Sequence, residues 1–178
     1  MDNLKPHHFI TSLLIFFFIS TYSQSFDGYA LYNKQNNNTA YLIDKNGSIA
    51  HTWSCSAGCN YTVLLKENGN IVRGGKNSSN QLNGAAIGGM VQEIDPSGSI
   101  VWEYVYSTAD YCSHHDITLI GDNVLLTAWE VKSTSELTQG GYDGATSEKW
   151  PTHFVEIEQN GTGGQIVWEW HIWDHLIQ

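Results

Sequence analysis

Val91-Gln92-Glu93-Ile94-Asp95-Pro96-Ser97-Gly98-Ser99-Ile100-Val101-Trp102-Glu103-Tyr104 is a pattern that the chain writes three times. The other copies are Tyr41-Leu42-Ile43-Asp44-Lys45-Asn46-Gly47-Ser48-Ile49, and Val155-Glu156-Ile157-Glu158 leading to Ile166-Val167-Trp168-Glu169-Trp170. Each copy reads as a strand, a tight polar turn and a second strand, because β-formers flank a cluster of Asp, Asn, Ser and Gly. The chain is therefore expected to be a β-repeat protein.

The copies recur about 50 and then about 60 residues apart, the second interval stretched by insertions, and periods of this size indicate propeller blades. A second pattern falls between them: Val63 to Val72 in one unit and Ile117 to Leu126 in the next. Each unit is thus expected to hold four strands. One blade reads as Asp116 to Ile120, Val124 to Trp129, Phe154 to Glu158 and Gln165 to Trp170. The competing reading is an ordinary β-sandwich with similar hairpins, against which repetition over fifty positions argues.

Residues 1–24 read as a signal peptide: Lys5 precedes the apolar run Phe9 to Ile19, and small residues follow at Ser23 and Ser25. The run is short for a bilayer span of about 20 apolar residues, so no membrane association is expected once it is cleaved. Residues 25–178 then supply about two and a half blades, fewer than the four or more of a closed ring. Trp173-Asp174-His175-Leu176-Ile177-Gln178 reads as the first strand of another blade, and the expectation is a fragment or truncated product.

Eight Lys and Arg against 18 Asp and Glu give a formal charge of −10, which makes nucleic acid a poor partner. Cys55, Cys59 and Cys112 in an oxidising compartment suggest one disulfide and one thiol left over. A zinc site from these and His114 is possible on ligand type, but the spacing matches no strong motif. Five Asn-x-Ser/Thr sequons begin at Asn37, Asn46, Asn60, Asn77 and Asn160, and they matter only in a glycosylating eukaryote. No nucleotide-binding loop is present, and no cofactor or metal is expected.

Chemistry is expected where one blade hands over to the next. His114-His115-Asp116 precedes Ile117, and Trp173-Asp174-His175 precedes Leu176. The innermost strand of each blade borders the central channel, so His115 and His175 would converge on one pocket from adjacent blades, with Asn60 or Tyr61 at the corresponding place before them. Imidazole there can be nucleophile, proton acceptor or anion ligand, and Asp116 or Asp174 could orient a ring. His51, His153 and His171 read as structural. Arg73, the only arginine, could bind sulfate or phosphate oxygens, cap an edge or pair with an acidic neighbour. Trp129 and Trp173 are candidates to stack on an aromatic substrate.

The run His114 to Ile117, the strand Val124 to Glu130, and Ile166 to Gln178 resemble the arylsulfotransferase (ASST) family, as do Ala40 to Asp44 and His51-Thr52-Trp53. The resemblance implies a six-bladed propeller, secreted or periplasmic, that moves a sulfuryl group from a phenolic sulfate ester to a phenol without a nucleotide sulfate donor. It implies transfer through a sulfated histidine, with further histidines and an arginine around the channel, and His115 and His175 as the matching positions. The alternatives are a non-catalytic secreted propeller that binds a glycan or protein, and an inactive fragment. The sequence leaves oligomeric state open.

Overall fold

A computed structural model describes residues 27–177, so the expected signal segment 1–24 lies outside the described residues. Eleven strands form three antiparallel sheets, each running up and down in chain order. The first sheet holds β1 (Ala30–Asn33), β2 (Thr39–Ile43) and β3 (Ile49–Ser54). The second holds β4 (Cys59–Leu65), β5 (Ile71–Lys76), β6 (Gly89–Ile94) and β7 (Ile100–Val105). The third holds β8 (Tyr111–Ile120), β9 (Asn123–Glu130), β10 (Thr152–Asn160) and β11 (Gly163–His171). The four strands expected between Asp116 and Trp170 are all present, and every one of them is longer than the sequence suggested.

The repeated motif is a hairpin with a bulge at one fixed place. The register shifts between Leu42 and Ile43, between Glu93 and Ile94, and between Glu156 and Ile157. One extra residue on the partner strand, Ala50, Val101 or Val167, absorbs each shift. The consequence is visible in the second sheet, where Ile100 pairs with Ile94 and Trp102 with Glu93. Residues two apart, which a regular strand would place on one face, are thereby sent to opposite faces. The turns follow from their aspartates: Asp44 Oδ1 accepts from the amides of Asn46 and Ser48, and Asp95 Oδ1 from those of Ser97 and Ser99. Gly47 and Gly98 close these turns at φ +81° and +89°, where a side chain would be strained.

Because both faces of the second sheet are apolar, it is packed on both sides. Ile71 and Ile94 on one face meet Ala40 and Trp53 of the first sheet, with Leu31, Leu42 and Val63 alongside. On the other face Val72, Val91 and Trp102 meet Ile117, Val124, Leu126, Val155 and Ile157 of the third. The first strands of the second and third sheets, β4 and β8, lie side by side, and β1 lies beside β4. At the opposite edge β7 approaches β11. A ring nitrogen ties each of the first two sheets to the next: His51 Nε2 lies 2.9 Å from the carbonyl of Pro96 in the β6–β7 turn, and Trp102 Nε1 donates at 2.6 Å to the carbonyl of Gly163, the first residue of β11.

The extra residues between β9 and β10 include a one-and-a-half-turn helix, α1 (Thr134–Gln139), started by Ser133 and Glu136 as a reciprocal capping box. Among the described residues no helix is long and apolar enough to cross a membrane. Inter-sheet burial should dominate stability. Ile157→Ala, at a position with no exposed surface, is expected to cost about 2–5 kcal/mol, read as a lower urea midpoint at unchanged slope.

Candidate functional site

His114 and His115 sit inside β8, not ahead of a strand beginning at Asp116. The strand starts at Tyr111, and a bulge between Ser113 and Ile117 interrupts its pairing with β9. That interruption is why the regular apolar alternation starts only at Ile117. Within the bulge His115 adopts φ +52°, a left-handed conformation that a side chain adopts at a cost. Its amide donates to the carbonyl of Ala86, itself left-handed at φ +57°. Two of the three left-handed non-glycine residues among the described residues are thus bonded to each other at this one spot.

The segment carrying Ala86 joins β5 to β6 in the second sheet, yet it reaches across to the third. Ile87 bridges to His114, and the Gly88 amide donates to the Ser113 carbonyl at 2.9 Å. The Gly89 amide, at φ +93°, donates to Ser113 Oγ at 2.9 Å. The first sheet repeats the device: after β1 the Asn36 amide, at φ +58°, donates to the Cys59 carbonyl at the start of β4. Buried Asn60 packs close over Gly74 and Gly88, where a methyl group would collide with its side chain.

Consecutive strand residues ordinarily point to opposite faces, but the kink brings the two imidazoles together. Their Nδ1 atoms lie 2.8 Å apart with the rings edge to face. One Nδ1 must therefore carry the shared proton and the other accept it. His114 is buried and stacked on Trp129 at 4.3 Å between centroids, and its Nε2 is sealed from solvent without a hydrogen bond. Burial, and secondarily the neighbouring His115, pushes its pKa down to about 4, so it is neutral at pH 7. His115 is exposed. Asp116 Oδ1 accepts from Thr62 Oγ1 of β4, joining two first strands.

The remaining expected site residues lie elsewhere. Ile172–His175 is a turn of 3-10 helix, not the first strand of another blade, and His175 stacks on Trp170 of β11 at 4.7 Å. Since β8 and β11 are the opposite edges of one sheet, His115 and His175 do not converge. Asp174 is exposed on that turn, and Trp173 packs against the C-terminal end of α1 with Lys132 Nζ 5.3 Å from its ring centroid. Arg73 is sealed at 1% exposure, with Nη1 donating to the Ala57 carbonyl at 2.8 Å and Nη2 to that of Asn37 at 3.5 Å. It fastens the first sheet's loops to the second. Trp129 is half-buried against His114 and Trp150. Cys55, Cys59 and Cys112 are three separate buried thiols, each pointing at a nearby oxygen, so the expected disulfide is not formed. No cluster of three or more metal-ligating side chains occurs among the described residues, which leaves the zinc alternative without support.

A second polar cluster gathers histidines that the sequence reads as structural. His153 and His171 are register partners on β10 and β11, and their rings stack in parallel at 4.8 Å. His153 Nε2 is 2.9 Å from the Tyr106 hydroxyl, while Glu130 Oε2 takes Lys132 at 2.8 Å and His171 Nδ1 at 3.2 Å. Burial raises the Tyr106 pKa, so the phenol keeps its proton, and burial drives His153 down to about 4. The pairing of two histidines across the last hairpin was visible in the spacing once the strands were known. The cavity here, of about 460 Å³, is lined mostly by these groups and by acidic side chains.

Neither a scan against protein-family models nor a search of the curated proteins finds a match to this chain.

Two outcomes follow for this site. His115→Gly should be more stable than His115→Ala by about 1 kcal/mol, since glycine adopts φ +52° without strain, and thermal melting of the two variants checks it. The pH dependence follows from His114 and His153. Both are neutral in the folded protein down to about pH 4, whereas in the unfolded chain they protonate near 6.5. Stability present above pH 6.5 is therefore lost as pH falls towards 4, by on the order of 3 kcal/mol for each group at most. Urea midpoints between about pH 7 and pH 5 should fall, and fall less in His153→Gln.

Proposed function

We propose that the three sheets are consecutive blades of a β-propeller of the arylsulfotransferase kind, secreted or periplasmic, and that His115 engages the sulfuryl group of a phenolic sulfate ester. The up-and-down order within each sheet, the face-to-face stacking and the adjacency of β4 and β8 support the propeller reading. The observation that carries the site is the strained His115, fastened to left-handed Ala86 and paired through Nδ1 with a buried neutral histidine. Strain of this sort persists where the surroundings over-determine it and is concentrated at functional positions.

With Nδ1 of His115 directed at His114, Nε2 is the ring atom through which His115 would meet sulfur or its oxygens. In a double displacement an imidazole nitrogen bonds to sulfur as the aryl oxygen–sulfur bond breaks, and the phenolate leaves and takes up a proton. A second phenol then loses its proton and attacks sulfur, breaking the nitrogen–sulfur bond and restoring the imidazole. The burial of Arg73 favours a second reading, a non-catalytic propeller that binds a glycan or protein, because the guanidinium is sealed between the first and second sheets.

The test is release of 4-nitrophenol from 4-nitrophenyl sulfate in the presence of phenol. His115→Ala is expected to lower transfer about a hundredfold or more. Equal rates in the parent and this variant would remove His115 from the reaction. A parent chain that binds a glycan or protein and turns over no sulfate ester would support the binding reading instead.

A further inference from the structure

His114 is held in one orientation by its packing. Its ring lies on Trp129 at 4.3 Å with 24° between the planes, and Trp150 backs the indole at 5.5 Å. Gly84, in the segment that joins β5 to β6, comes so close to Trp129 that a methyl group there would collide with the indole. The main chain is fixed as well: the Ser113 carbonyl and hydroxyl accept from the amides of Gly88 and Gly89, and the His115 amide donates to Ala86. His114 is 5% exposed. Its Nδ1 faces that of His115 at 2.8 Å, while Nε2 is sealed from solvent and has no hydrogen-bond partner among the described residues.

A neutral imidazole carries one N–H and one lone pair, so the contact between the two Nδ1 atoms has two arrangements. If His115 supplies the proton, His114 accepts at Nδ1 and must place its own N–H on the sealed Nε2. If His114 supplies it, Nε2 keeps only a lone pair. An N–H buried without an acceptor is the rarer defect in folded proteins, which favours the second arrangement. The Ala128 carbonyl lies near the ring and makes no hydrogen bond with Nε2. Burial keeps His114 neutral, and so excludes a doubly protonated ring in which both nitrogens donate.

We propose that His114 is a positioning residue that fixes the tautomer of His115: His114 Nδ1–H donates to His115 Nδ1, and His115 therefore holds its proton on Nε2. This rests on the reading of His115 as the residue that meets the sulfuryl group, and it specifies how. With the proton on Nε2, His115 presents an N–H to a sulfuryl oxygen, where negative charge resides. Attack on sulfur through the same atom would require both rings to exchange tautomers together, which returns an N–H to the sealed Nε2 of His114. His115 thus acts on the sulfuryl group as a neutral hydrogen-bond donor, and no proton leaves the pair.

Two-bond proton–nitrogen correlation spectra of the chain with isotope-labelled histidine, recorded at neutral pH, test this. Expected for His114 is a protonated Nδ1 and an unprotonated Nε2, with the reverse in His115. A proton on His115 Nδ1 and on His114 Nε2 overturns the proposal, and would mean that the Ala128 carbonyl accepts from that Nε2. His114→Phe keeps a ring on Trp129 and removes the donor, so part of the His115 proton should move to Nδ1. A His115 pattern unchanged by this variant overturns the positioning role, and the parent spectrum decides alone if the variant does not fold. Adding 4-nitrophenyl sulfate should leave the proton on His115 Nε2, and its passage to Nδ1 on binding would overturn the donor role. The tautomers are read without turnover, so they test His114 separately from the sulfuryl reading, which the transfer assay tests by itself.

Discussion

Everything in this molecule depends on the second sheet having two apolar faces. A sheet with one wet face can stand on a single neighbour, but the second sheet has Ile71 and Ile94 on one side and Val72, Val91 and Trp102 on the other, and it needs two. Burial at about 25 cal/mol per Å² of apolar surface is the main return against the entropy of ordering the chain, so the sheets are stable as a stack rather than singly. Hydrogen bonds then fix the alignment: His51 to Pro96 and Trp102 to Gly163 tie neighbouring sheets at one edge, and Asp116 to Thr62 joins two first strands at the other. Arg73 belongs to this set, since two of its guanidinium nitrogens donate to main-chain carbonyls of the loops around the first interface.

Much of this architecture is legible in the sequence because it is written in short-range chemistry. An aspartate followed three residues later by glycine marks each of the first two hairpins, and alternating β-formers mark their strands. The bulges are less legible: nothing in Ile100-Val101-Trp102 announces that the first and last of these face opposite ways, because the evidence lies in the partner strand. The same holds for β8, where His114 and His115 look like a loop ahead of a strand. Only the crossing segment around Ala86, nearly thirty residues earlier, shows that the backbone there is held inside a strand by another sheet.

The site was legible to a similar depth. Residue type and repeat position single out His114, His115 and Asp116, while the contact between the two imidazoles comes from the structure alone. What the spacing could not give was direction. It assigned His175 to a neighbouring strand, whereas that residue turns back on Trp170, and it offered Arg73 to a ligand, whereas burial between sheets removes it. The His153, His171, Glu130 and Tyr106 cluster was passed over because its members come from four separate strands or their junctions, and their proximity is a property of register alone.

The segment that crosses from the second sheet to hold His115 has a meaning for how such chains can change over generations. The imidazole pair belongs to one repeat, but the backbone that imposes its shape belongs to the repeat before it, as the Asn36 segment does for Cys59 one unit earlier. A unit copied by duplication would therefore carry its own histidines together with the clamp for its successor, and would inherit a clamp from whatever precedes it. Recombination at unit boundaries reshuffles these halves, so the geometry of an imidazole pair can change by joining different repeats without any substitution in the histidines themselves.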